Sequence, residues 1–110
     1  MVLQAAGVRT AVLVVDTAGA PVLCPYFTKC DGVLLIDAAD GSREFHFHDR
    51  TDPKSLNNLI LALKPQRLVC GFIGEQEKRT FCAAGIDVRL GSCACPVDQL
   101  VADFTSLPRV

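Results

Sequence analysis

Hydrophobic positions along this chain fall into two rhythms. Thr10-Ala-Val-Leu-Val-Val15 and Gly32-Val-Leu-Leu-Ile-Asp37 are continuous apolar runs, and runs without alternation predict strands covered on both faces. Between them, Asp16 to Pro21 has turn chemistry, and Val22 to Asp31 reads as an irregular segment carrying two cysteines. Asp40-Gly41 gives a hairpin signal leading into Arg43 to Asp49. There the pattern alternates, Phe45 and Phe47 on one side and Glu44, His46 and His48 on the other. After Thr51 the period lengthens. Leu56, Leu59, Ile60 and Leu63 follow helical spacing, with Asp52 as N-cap, Pro53 at the first helical position and Pro65 as the stop. Arg67 to Gly71 predicts a fourth strand, which passes through Phe72-Ile-Gly74 into a helix from about Glu75 to Ala84, closed by Gly85. Ile86 to Leu90 reads as a fifth strand. A last helix is expected from about Pro96 to Leu107, with Val97, Leu100, Val101 and Phe104 on one face.

The predicted order is therefore β-β-β-α-β-α-β-α. Strands alternating with helices imply parallel pairing and right-handed crossovers, so the expected architecture is an α/β sandwich around a five-stranded mixed sheet. No linker, repeat or low-complexity tract divides the 110 residues, which predict a single domain with its core between about residues 8 and 107. Half the residues are hydrophobic and the net charge is −1, which argues against a phosphate-neutralising nucleic-acid surface. No apolar run is long enough for a membrane span, and Met1 to Thr10 lacks the basic and apolar regions of an export signal. The expected setting is the cytoplasm, where thiols stay reduced, and the expected state is a monomer or a small homo-oligomer.

Six cysteines change the picture. In open α/β sheets, functional loops gather beyond the carboxyl ends of the parallel strands. That edge is predicted to collect Cys24, Cys30, Cys70 and the pair Cys93 and Cys95, with His48 brought up by its strand. Cys82 lies within a helix and reads as packing. Thiolate and imidazole together suit zinc, copper(I) or an iron–sulfur centre, so Cys93, Cys95, Cys30, Cys70, Cys24 and His48 are the candidate metal ligands. A thiol just ahead of a helix, as at Cys95, is favoured as thiolate. The spacing holds no pair of C-x-x-C knuckles, and each cysteine also reads as a small buried hydrophobe. His46 and His48 equally fit an exposed polar strand face. Gly71 and Gly74 fit either an anion cradle at a helix start or a tight strand-to-helix turn. No nucleophile-elbow pattern or Ser/His/Asp set is present, and no residue is nominated as catalytic. Three roles stay open: a metal-binding carrier, an interaction domain with filler cysteines, and a thiol-redox enzyme.

The segment "VCGFIGEQEKRTFCAAGIDVRLG" from Val69 resembles the dinitrogenase iron–molybdenum cofactor biosynthesis family, the nitrogenase accessory-factor-like domains. The likeness rests on Gly71-Phe-Ile-Gly74 before a helix and Ala84-Gly85-Ile86 before a strand. Upstream, "PYFTKCDGVLLID" resembles the family's loop of His-Phe-Gly-Arg type followed by an apolar strand ending in Asp. The resemblance spans about residues 10 to 105. It implies a three-layer α/β/α, ribonuclease-H-like architecture with strand order 3-2-1-4-5 and strand two antiparallel. It further implies binding of an iron–sulfur or iron–molybdenum precursor cluster, exchange with a metallo-protein partner, and no enzymatic turnover. Tyr26, Thr28 and Lys29 stand where the family has histidine, glycine and arginine, so a histidine ligand is absent from that loop. Cys30, Cys93 and Cys95 could replace that histidine, and Cys30, Lys29, Gly71 and Gly74 are the candidate cofactor-binding positions, Lys29 supplying positive charge for an anionic cluster.

Overall fold

The computed structural model describes residues 8–17, 20–26, 29–39, 41–48, 51–52 and 54–110. Six strands and three helices follow one another as β1 (Arg9–Thr17), β2 (Ala20–Leu23), β3 (Gly32–Asp37), β4 (Arg43–Phe47), α1 (Ser55–Leu63), β5 (Arg67–Cys70), α2 (Glu75–Ala83), β6 (Asp87–Leu90) and α3 (Val97–Ala102). A 3-10 turn over Phe104–Ser106 comes last. The main path of the sheet is β4-β3-β1-β5-β6, and β2 pairs with β1 off that path. β3 is antiparallel to both β1 and β4, whereas β1, β5 and β6 run parallel. The five expected strands thus lie in the expected order.

The sixth strand, β2, corrects the reading of Val22 to Asp31 as wholly irregular. Val15 pairs with Val22 and Asp16 with Pro21, so the chain doubles back on β1 before leaving the sheet. A proline inside so short a run hides it as a strand, because proline is tolerated only where no ladder donor is needed. The helices differ from expectation at their ends. α1 begins at Ser55 with Lys54 at its N-cap position, and Asp52 instead accepts a hydrogen bond from the Lys54 amide at 2.9 Å. The single long last helix is α3 plus the separate 3-10 turn, broken at Asp103. Asp40, Asp49, Pro53, Thr28 and the first seven residues lie outside the described residues, so the expectations placed on them do too.

Period-two alternation explains why the central strands have no polar face. Ala11, Leu13, Val33, Leu35, Leu68, Cys70 and Val88 pack with Leu56, Ile60 and Phe81 of α1 and α2. Val12, Val14, Leu34, Ile36 and Val69 pack on the opposite side with Val97, Leu100 and Phe104. Helices therefore cover the sheet on both faces, α1 and α2 on one and α3 on the other. Successive side chains of one strand enter different cores.

One buried cation locks the end of the chain to this sheet. Arg89 forks onto the Asp87 carboxylate at 3.0 and 3.1 Å and donates to the carbonyls of Phe104, Thr105 and Leu107. Its guanidinium and that of Arg67 lie 4.9 and 4.7 Å from the Phe104 ring centroid. The final residues then run along β6, the Leu90 amide donating to Pro108 and the Val110 amide to Val88. That covers an edge that would otherwise offer unpaired backbone groups.

Candidate functional site

Cys24, Cys30 and Cys70 come together, and they come together inside the protein. All three are fully buried in the core beneath α1 and α2. Cys24 Sγ donates to the Tyr26 carbonyl at 2.8 Å and Cys30 Sγ to the same oxygen at 3.4 Å. Cys70 Sγ reaches the Arg89 carbonyl at 3.8 Å. Burial, with the Cys24 thiol alongside and Cys70 and Asp31 nearby, pushes the Cys30 thiol far up. Burial alone pushes Cys70 up to about 12. Burial therefore favours the neutral thiol at both positions.

His48 closes this cluster from the side. Its Nε2 meets the Cys30 carbonyl at 2.5 Å, and its Nδ1 is buried without a partner among the described residues. One ring nitrogen is thus spent on the backbone. His46 turns outward to Glu44 at 3.2 Å, as the polar-face alternative has it. Lys29 is exposed next to Cys30.

Gly71 is where the loop and the sheet touch. A Cβ there would meet the carbonyl oxygens of Cys24 and Pro25, each at 2.5 Å. The Phe72 amide donates to Pro25 at 2.8 Å, and Tyr26 forms a parallel bridge with Phe72. This segment spends its amide on holding the cysteine loop, which favours the tight-turn alternative over an anion cradle. Gly74 is the extended N-cap residue of α2.

Cys93 and Cys95 lie on the other face. Gly91 lets their loop press inward, since a Cβ there would meet Val69, Leu100 and Leu23 at about 3 Å. Ser92 then builds the turn. Its Oγ accepts from the Ala94 amide and its carbonyl from the Cys95 amide, both at 3.1 Å. Cys93 is exposed and Cys95 half-buried against the α3 core. The pair lines a cleft of about 370 Å³ with Pro21 and Val22 of β2, Arg43 of β4 and the start of α3 as far as Asp98. Arg43 and Asp98 form an ion pair across it. Only the Cys93 and Cys95 loop was marked in the sequence; Arg43 and the β2 wall come from distant segments, and Asp98, three residues after Cys95, carries no signal of its own.

Two expectations are thereby corrected. The five cysteines do not ring one rim: Cys70 of β5 and the loop residues Cys24 and Cys30 enter the α1 and α2 core, while the loop after β6 carries Cys93 and Cys95 to the α3 cleft. Cys82 is exposed on α2 rather than packed. The helix after Cys95 has six residues, too short to lend much of a macrodipole. Among the described residues no group of three or more His, Cys, Asp or Glu side chains is arranged to hold a metal ion. No described helix is long and apolar enough to cross a membrane.

No protein-family profile and no curated protein sequence matches the chain. Solved structures do. The apo form of the orange protein from Desulfovibrio gigas superposes with a TM-score of 0.78 at 21% identity, over 94% of this chain and 93% of that one. A proposed dinitrogenase from Methanocaldococcus jannaschii gives 0.76 at 16% identity, over 94% and 95%. A proposed NifB protein from Thermotoga gives 0.70 at 19% identity, over 90% and 88%. The fold is the one these three proteins share, in keeping with the sequence resemblance.

Proposed function

We propose that this chain is a non-enzymatic accessory or carrier protein that takes an iron–sulfur or iron–molybdenum precursor cluster, or another soft metal, through Cys93 and Cys95. The observation that carries the reading is the thiol pair, Cys93 exposed and Cys95 half-buried, held on a Ser92-built turn at an open cleft. Two thiols separated by one residue offer a soft, two-point attachment. Their partial exposure leaves cargo free to arrive and leave, as a carrier requires. The shared fold with the orange protein, solved in an apo form, and with a proposed NifB protein supports the same reading.

The donor set fits cargo better than a resident cofactor. Cys24, Cys30, Cys70 and His48 are committed to the core and its carbonyls, so they are not part of the proposed site. Arg43 lines the same cleft and supplies positive charge toward an anionic cluster, whereas Lys29, beside Cys30, is not part of the cleft lining.

Protein prepared without oxygen is expected to carry iron or molybdenum with thiolate-to-metal absorption, or to acquire both on reconstitution with iron and sulfide. The Cys93→Ser and Cys95→Ser variants are expected to lose the signal. Colourless protein that takes up no metal after reconstitution overturns the reading. The second reading, an interaction domain with filler cysteines, is favoured by the burial of Cys24, Cys30 and Cys70, and that negative result would leave it standing.

A further inference from the structure

Ligand count, rather than ligand type, is the unresolved problem of the cleft. Tetrahedral zinc and iron–sulfur centres are held by four protein ligands. Cys93 and Cys95 supply two, and among the described residues no third donor joins them. Asp98, the carboxylate nearest at hand, is engaged by Arg43. The other three core thiols sit across the sheet. One chain therefore presents half a site.

From this we infer that a second copy of the same chain supplies the other half: two clefts meet about a two-fold axis, and four thiolates, Cys93 and Cys95 from each copy, enclose one tetrahedral metal centre. The inference rests on the reading of these thiols as soft-metal ligands and adds the partner. The patch around the thiols has the composition that a two-fold contact requires. Such a contact brings one surface against itself, so it must be self-complementary. Here the thiols are bracketed by one cation and one anion, Arg43 and Asp98, whose side chains keep 46% and 72% of their exposure. Across a two-fold axis the two Arg43–Asp98 pairs can meet, each Arg43 keeping its own Asp98 and also facing that of the other copy. Pro21, Val22 and Pro96 supply apolar contact between these charges and the thiols, and Val22 is among the large hydrophobic residues left exposed. The hydrogen-bonded Ser92 turn keeps both cysteines in the lining of the cleft and limits the ordering cost of assembly.

Metal and dimer are then one equilibrium: without the metal the small, charged patch is too weak to hold two copies.

The test is a titration of the reduced full chain, free of metal, with zinc chloride and in parallel with cobalt chloride. Native mass spectrometry and sedimentation are followed together. Zinc is expected to bind at one ion per two chains while the mass doubles from 11.8 kDa. Cobalt is expected to give the intense visible bands of a tetrahedral thiolate site at the same ratio. Cys93→Ser and Cys95→Ser should each abolish uptake and dimerisation together. Arg43→Glu, which sets like charges against each other, should weaken the metal-linked dimer by about tenfold or more, and Arg43→Glu with Asp98→Arg should restore it. Metal bound at one ion per chain with no change in mass overturns this inference and leaves the carrier reading intact. A dimer indifferent to Arg43→Glu overturns it as well. No uptake of either metal, or of a cluster, overturns both.

Discussion

Cys70 and Cys93 carry the same side chain and differ only in surroundings. An isolated thiol ionises near 9.0, and the buried Cys70 thiol near 12. Between those values the unfolded chain has given up a proton that the folded chain still holds. Stability is therefore unaffected below about pH 9 and falls as pH rises toward the folded value. The urea midpoint is expected to stay level from about pH 7 to 8 and to drop between about pH 9 and 11. In Cys70→Ala the drop should be shallower. An equal slope in the variant would show that Cys70 is not held protonated. Cys30 contributes in the same direction, its thiol also raised by burial and by the Cys24 thiol beside it. Nothing local marks this difference, because the burial of a thiol depends on residues that arrive from other elements.

At the scale of elements, the contact between the β5 exit and the loop after β2 positions the cysteine cluster. Gly71 makes it possible: a methyl group there meets two backbone oxygens, which cannot swing aside as side chains do. Gly71→Ala is expected to cost about 1–3 kcal/mol and to speed exchange of the Phe72 amide, which donates to Pro25. Gly74→Ala is the contrast. Its added methyl meets only the flexible end of Glu77, so its cost should be smaller. Equal costs from urea unfolding would refute the close-approach role. The two glycines were legible in the sequence as turn residues at a strand-to-helix junction. What Gly71 packs against was not, since Cys24 and Pro25 lie more than forty positions away in the chain.

Across the whole molecule, the sheet sorts the cysteines into three environments, and a thiol reagent reads all of them at once. In native protein Cys93 and Cys82 are expected to label fast and Cys95 more slowly. Cys24, Cys30 and Cys70 should label only when the structure opens, slower by about a hundredfold or more. Mass mapping of the labelled peptides measures the order. Early labelling of Cys30 or Cys70 would contradict the two-face arrangement. The same arrangement leaves Tyr26, Phe47 and Phe72 exposed at 57%, 73% and 70%. The alternation in β4 had marked Phe47 as facing away from His46, and its ring sits edge-on to the half-buried Phe45 with centroids 4.6 Å apart.

Apolar runs and helical spacing determined five strands and the three helices, because each is a short-range consequence of which residues must leave water, whereas the order of the strands was an implication of the family resemblance. The helix ends and β2 were less legible: Pro21 masks a strand that exists only because β1 is there to pair with it. The candidate site lay beyond sequence for a related reason. Residue types identified soft ligands, but the course of each loop decides which face they enter, strand parity doing so only for Cys70 of β5. Together with helix cover, that course sent Cys24, Cys30 and Cys70 into one core and left Cys93 and Cys95 at a cleft on the other. Parity, burial and the meeting of Arg43 with Asp98 are properties of the assembled sheet, and only the tertiary structure could decide them.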